Sequence, residues 1–385
     1  MQEYDYSRQI LSTEAILERR ERPLLVTPVV EAVDMDVKPL DAYLRLKRPG
    51  AYSFLFESAD LGCKSARFSF VGSSRQAIAI KDGLIMVNGK PFMYEGGPVA
   101  LLKDLMAGFK PSEPVFIGDE VPLPVFYGGL AGYISYDFVR YIDNIGDKAL
   151  DDLGCMDAGL AFVDSLAVFD HASKRLLLIS NCLSRGRPGL NGARARLAGM
   201  KAALARGYTA TPPAAKAKRL DVKYSVTKER FVEMVKRAKE YILDGDAFQI
   251  VLSQRAEVEA DVDPVALYQA LKEINPSPYM YFLEYGDTGI VGSSPEILVK
   301  VEDRKITVRP IAGTRRRGKD AEEDAELEKE MKSDPKELAE HVMLVDLGRT
   351  TWARSRSSAA FRWTITWRWR STLMFSILCL MSWGS

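Results

Sequence analysis

Glu337, Glu340 and His341 stand at i, i+3 and i+4 in a stretch that reads as helix over roughly 335–348, so their side chains share one face. Two carboxylates one turn apart are costly unless a cation or a proton lies between them. Magnesium suits such a pair, because it takes one or two carboxylates, several waters and substrate oxygens. A solvated acidic face explains the same spacing more simply. Against that, the apolar run Val342-Met343-Leu344-Val345 follows at once, which predicts a deeply packed helix. Upstream, Pro-Ile-Ala-Gly-Thr (310–314) follows a strand and precedes Arg315, Arg316, Arg317 and Gly318. Gly313 permits close backbone approach, and Thr314 offers a hydroxyl and an amide to an anion. The arginines can bind phosphate or carboxylate, or simply solvate a loop. Gly-Ser-Ser-Pro-Glu (292–296) adds Glu296 as a further acid. Gly128-Gly129 lacks the Gly-Lys-Ser/Thr continuation of a nucleotide loop, and that reading is rejected.

Elements able to position these residues are legible downstream of residue 222. Thr227 caps a helix whose apolar positions Phe231, Met234, Val235, Ala238, Tyr241 and Ile242 keep helical spacing. That helix stops at Asp244-Gly245-Asp246, and 247–258 reads as a strand. Asp263-Pro264 opens another helix, ending before Pro276. Strands follow at 279–285, 289–292, 296–302 and 305–311, then helices over about 321–332 and 335–348. Residues 1–205 read as strands (66–72, 76–81, 158–169) with a few helices, one at 97–107. Residues 206–222 read as a linker or loop. The alternation predicts an α+β fold.

Composition narrows the function classes. The chain has 385 residues, with 53 basic and 52 acidic side chains, so no general nucleic-acid or membrane partner is expected. Four scattered cysteines without metal spacing suit a reducing cytoplasm, and the polar start is no signal peptide.

In order and spacing, Gly-Ser-Ser-Pro-Glu, Pro-Ile-Ala-Gly-Thr and Lys-Glu-Leu-Ala-Glu-His-Val-Met-Leu-Val-Asp-Leu (336–347) resemble the core of the chorismate-utilising enzymes, most closely the anthranilate synthase large components. The resemblance covers about 45–349, including Phe-Glu-Ser-Ala-Asp (56–60) and 127–137. It implies two large packed β-sheets flanked by helices, incomplete at the C-terminus. It implies Mg2+ held by Glu340, with Glu337 and Glu296 as further acids near the metal and leaving group. It also implies chorismate contacts from Gly313 and Thr314, and His341 facing the substrate ring. Gln249 stands where water-using relatives carry a lysine base, and Ala312 where many aminodeoxychorismate synthases carry a nucleophilic lysine. Both fit ammonia as nucleophile, supplied by a glutamine amidotransferase partner, the anthranilate synthase component II. Aminodeoxychorismate synthase is the alternative. Glu57, Ser58, Pro278, Tyr279 and Met280 match a pocket for L-tryptophan as feedback inhibitor, although Pro-Ser-Pro-Tyr-Met can equally just turn the chain into a strand. The implied division is an N-terminal region (1–205), a linker (206–222), a chorismate-binding region (223–349) and a foreign tail (350–385).

The tail breaks the pattern. All five tryptophans follow residue 350, and no acid follows Asp346. A one-base deletion after the codon for Arg349 explains this. Single-codon residues then force glycine from Trp352-Ala353, aspartate from Trp363-Thr364, valine from Met374-Phe375 and glycine from Trp383-Gly384. Suitable choices among degenerate codons restore the family runs NDLGKV and YSHVQHI. On this reading the tail makes few regular contacts, and the chain as written is inactive or at most binds tryptophan. As a genuine tail, residues 371–385 fall short of the ~20 apolar residues needed to span a bilayer.

Overall fold

The computed structural model describes residues 18, 22–59, 67–146, 149–207, 221–286, 288–302, 305–308, 310–316, 318–354, 366–371 and 375–384. The chain forms two units, one from 1–208 with 268–385 and one from 209–267.

The first unit contains a nine-stranded sheet in the order Thr288–Ser294, Tyr279–Tyr285, Tyr52–Glu57, Phe68–Ser74, Ser165–Asp170, Arg175–Ser184, Leu24–Val33 and Phe109–Pro111, with Val115–Ile117 also beside Leu24–Val33. A five-stranded sheet runs Lys90–Phe92, Leu84–Val87, Ala77–Lys81, Ala158–Val163, Gly129–Ile134. Arg175–Ser184 is buried at every position after the first, and Ala158–Val163 throughout. Ala158–Val163 is apolar throughout, as a strand covered on both faces requires, whereas Arg175–Ser184 follows its apolar Leu176–Ile179 with buried Ser180, Asn181 and Ser184, each hydrogen-bonded. Phe54, Leu166, Val168, Ile179 and Leu283 of the large sheet share one core with Ala131, Ala161 and Val163 of the smaller. The helix Gly97–Ala107 inserts Leu101 and Leu105, one turn apart, into a second core with Ile78, Ile80 and Phe162. The mixed α+β architecture follows the expectation from sequence.

Tyr279–Tyr285 adds to the large sheet beside Tyr52–Glu57, with Met280 opposite Glu57. This pairing brings sequence-distant segments together: Ser58 and Pro278 end up within hydrogen-bond reach.

Several boundaries differ from those read in the sequence. The expected strand 296–302 is reduced to Lys300–Glu302, and 305–311 is divided into Lys305–Val308 and Ile311–Arg316. Of the tail, Thr366–Ser371 and Phe375–Gly384 pair with each other, and Phe375–Gly384 also pairs with Lys305–Val308 and Ile311–Arg316. The expected lack of regular contacts is therefore not met there. The physical reason is generic: the 305–316 strands offer backbone donors and acceptors, and an apolar segment such as Phe-Ser-Ile-Leu-Cys-Leu has the strand propensity to satisfy them.

In the second unit, Val222–Tyr224 pairs with Ala256–Val258, flanking the helix Lys228–Leu243. Thr227 caps that helix by accepting the Arg230 amide at 3.3 Å. Its apolar positions keep their spacing yet bury nothing; Val232, Val235, Tyr241 and Ile242 are exposed. The rest of the expected strand 247–258 is irregular, leaving Phe248 and Val251 exposed.

Candidate functional site

The helix Pro335–Arg354 carries the Glu-His triplet and lies against the strand Ile311–Arg316. Gly313 interrupts that strand with a register shift between Ala312 and Thr314, at φ 69°. A β-carbon there would fall 2.9 Å from Met331 Sδ and 3.0 Å from Glu337 Oε2. Glycine is needed on both counts, for its backbone conformation and for closeness to Glu337. The bulge thus brings the Gly-Thr pair against the Glu-His helix.

Arg315 completes the contact. Its Nη1 donates to Glu337 Oε1 at 3.0 Å, with Asp334 Oδ2 and Glu330 Oε1 each at 3.4 Å. Glu337 first, and then Glu330, raise the guanidinium pKa, against a lowering by burial. One oxygen of Glu337 is therefore committed to an arginine that sequence reasoning left as loop solvation or anion binding. Glu340 is half-buried on the same helical face. His341 is fully buried, and burial lowers its pKa, so the ring is neutral near neutral pH. Thr314 is exposed beside the bulge. Glu296 is exposed in the loop after Thr288–Ser294, where its backbone closes a turn with the Ser294 hydroxyl. Gln249 is exposed in the irregular stretch of the second unit.

Among the described residues no three His, Cys, Asp or Glu side chains form a ready-made metal cage. Magnesium does not require one, since waters and substrate oxygens fill most of its shell. The half-buried carboxylate of Glu340, with the Oε2 of Glu337 facing the Gly313 bulge, fits that chemistry as a donor set.

All five residues expected to form an amino-acid pocket, Glu57, Ser58, Pro278, Tyr279 and Met280, line one cavity of about 940 Å³. Glu57 is 5% exposed and accepts from Tyr268 Oη at 2.6 Å and Lys272 Nζ at 2.7 Å. Burial, reinforced by Glu57, raises the Tyr268 phenol, which keeps its proton as a donor. Ser58 Oγ donates to the Pro278 carbonyl at 3.1 Å, and the Ser58 amide donates to Ser69 Oγ at 3.1 Å. Ser69 Oγ in turn meets His171 Nε2 at 2.7 Å. Sequence reasoning missed Tyr268 and Lys272. Their i, i+4 spacing on the helix Pro264–Ile274 was the available signal for a shared face, but it could not name Glu57 as the partner.

Comparison with known proteins places these motifs in a family. Residues 97–362 match the family model for chorismate binding enzymes. The chain is 40% identical over 338 residues to anthranilate synthase component 1 of Acetivibrio thermocellus, covering 84% of this chain and 67% of that protein. It is 39% identical over 314 residues to the Thermus thermophilus component 1, covering 81% and 64%. In structure it is similar to anthranilate synthase component I from Streptococcus pneumoniae TIGR4, with a TM-score of 0.68 and 29% identity over 91% of this chain and 74% of that one. The chain spans about two thirds of the length of these curated relatives. With its three motifs, its fold and its relatives all in agreement, this chain belongs to the chorismate binding enzymes, among the anthranilate synthase components 1.

Proposed function

We propose that the chain is the chorismate-converting component of an anthranilate synthase, taking chorismate and ammonia to anthranilate, pyruvate and water. The observation that carries this reading is the left-handed backbone of Gly313 pressed against Glu337, which joins two motifs separated in sequence into one site. Glu340 and Glu337 would hold magnesium, which when bound neutralises substrate carboxylates and makes the reaction a metal-dependent lyase step. Gly313 and Thr314 bind chorismate through backbone amides and the Thr314 hydroxyl. Neutral His341 faces the ring, and Glu296 serves the leaving group. Gln249 cannot act as a base toward water, which favours ammonia. A glutamine amidotransferase, component II, supplies that ammonia. Tryptophan binds at Glu57 and Ser58 and restrains the reaction. No helix among the described residues is long and apolar enough to cross a membrane, and the proposed place of work is the cytoplasm.

We further propose that residues after Arg349 are read one base out of the family's frame, as the forced codons and the absence of acids after Asp346 suggest. The test is paired. Sequencing the gene across the Arg349 codon should locate the missing base. The frame-restored protein should then form anthranilate from chorismate, magnesium and an ammonium salt, whereas the 385-residue product should not. An active, cooperatively melting 385-residue protein would overturn the frame proposal.

A further inference from the structure

Behind the Glu57 pocket, a chain of hydrogen bonds leads from the cavity wall to His171. Ser58 lines the cavity with Pro278, and its Oγ donates to the Pro278 carbonyl at 3.1 Å. The Ser58 amide, which can only donate, gives its hydrogen to Ser69 Oγ at 3.1 Å. Ser69 is fully buried, and its Oγ meets His171 Nε2 at 2.7 Å. Among the described residues Ser69 Oγ has no other partner. Its hydroxyl hydrogen therefore goes to the lone pair of Nε2, and the neutral His171 ring carries its own proton on Nδ1. A charged ring would present Nε2–H instead. Ser69 Oγ would then face two donors, and its buried hydrogen would have no acceptor. Neither Ser69 nor His171 lines the cavity, so both reach it only through Ser58.

We propose that His171 is a positioning residue for the amino acid held in the Glu57 pocket: through Ser69 it fixes Ser58, and protonation of its ring loosens that wall and weakens the ligand. The proposal rests on the reading of this pocket as an amino-acid site. Ser58 Oγ, its hydrogen spent on Pro278, has only lone pairs for a ligand donor, so a shift of Ser58 displaces an acceptor. Burial disfavours the charged ring; of the charged groups acting on it, Glu57 and Asp170 favour it and Lys272 opposes it. Each of these is itself paired, Asp170 with Arg67 at 2.8 Å and Glu57 with Lys272 at 2.7 Å. Glu57 also accepts from Tyr268 Oη at 2.6 Å. By linkage, a ligand that needs Ser58 in place must in turn favour the neutral ring.

The chain has only two histidines, His171 and His341, so the ring can be observed directly. In the intact chain carrying nitrogen-15-labelled histidine, the His171 signals are those lost in His171→Gln. They should report the Nδ1–H tautomer, and saturating L-tryptophan should move the ring's titration to lower pH. L-tryptophan binding, measured by equilibrium dialysis, should weaken roughly 3- to 10-fold between neutral pH and the pH at which the same signals show a charged ring. His171→Gln, whose carboxamide oxygen can accept the Ser69 hydrogen, should bind as the parent does at neutral pH and lose this pH dependence. His171→Phe offers no acceptor and should bind roughly 3- to 10-fold more weakly at neutral pH. With tryptophan binding intact in the parent, an Nε2–H tautomer, an unchanged pH dependence in His171→Gln, or parental affinity in His171→Phe would each overturn the role of His171 alone. No tryptophan binding by the parent at any pH would overturn the amino-acid reading of the pocket, and the proposal with it.

Discussion

Gly313→Ala tests the junction between the two motifs with the smallest possible change. The added methyl meets two costs. Holding a non-glycine residue at φ 69° costs about 1–2 kcal/mol of backbone free energy. The methyl also falls 2.9 Å from Met331 Sδ and 3.0 Å from Glu337 Oε2, so both neighbours must move by several tenths of an ångström. Met331 is flexible and can yield, although it is fully buried. Glu337 is less free, because Arg315 holds its other oxygen at 3.0 Å. Stability in urea should therefore fall by at least about 1–2 kcal/mol, the backbone cost alone. Turnover in the frame-restored enzyme, followed by anthranilate fluorescence, should fall by roughly tenfold, less than the ~10²-fold of a full ångström, because the positioned carboxylate is displaced by only a few tenths of an ångström. Gly289→Ala is the control: its β-carbon would find only Leu283 O, at 3.9 Å, and it should change neither quantity. If Gly313→Ala keeps parental turnover, the bulge does not position Glu337 for catalysis.

Three further outcomes follow from the same geometry. Glu340→Gln keeps the side chain's shape and removes its charge; the frame-restored variant should lose most activity and need more magnesium, and an unchanged magnesium requirement would return Glu340 to a solvated face. Ser58→Ala removes the hydroxyl bonded to the Pro278 carbonyl and should raise the tryptophan concentration for half-inhibition roughly 3- to 10-fold, with turnover intact; equal sensitivity would remove Ser58 from the pocket. His171 gives a pH signature. Burial lowers its pKa below 6.5, with Lys272 acting in the same direction and Glu57 and Asp170 opposing it. The folded chain thus prefers the neutral ring, so its contribution is complete above pH 6.5 and is lost as pH falls through the lowered folded value. Asp170, held at about 2 mainly by Arg67, titrates well below that window. Urea stability measured down from pH 6.5 should accordingly fall less steeply in His171→Gln than in the parent; identical slopes would contradict the assignment.

What the sequence disclosed depended on whether the cause was local. Thr227 before an apolar-periodic run, and Asp263-Pro264 before another, carry their own helix starts, and both helices form where expected. Gly313 was legible as a place of close approach, because only glycine serves a left-handed bulge. The partners were not legible. Glu57 and Tyr268 are 211 residues apart, and nothing near either names the other. Arg315 follows two residues after Gly313 in a run of three arginines, and its role as the partner of Glu337 depends on the packing of a strand against a helix. The stretch 247–254 has the alternation of a strand but forms none, since a strand requires a neighbour that local pattern cannot supply.

The most direct test of the central claim is product identity. The frame-restored protein, given chorismate, magnesium and ammonium salt, should release anthranilate and pyruvate in equal amounts. Accumulation of 4-amino-4-deoxychorismate would assign the chain to the aminodeoxychorismate synthases, and salicylate or isochorismate would contradict the inference from Gln249 that ammonia, not water, attacks.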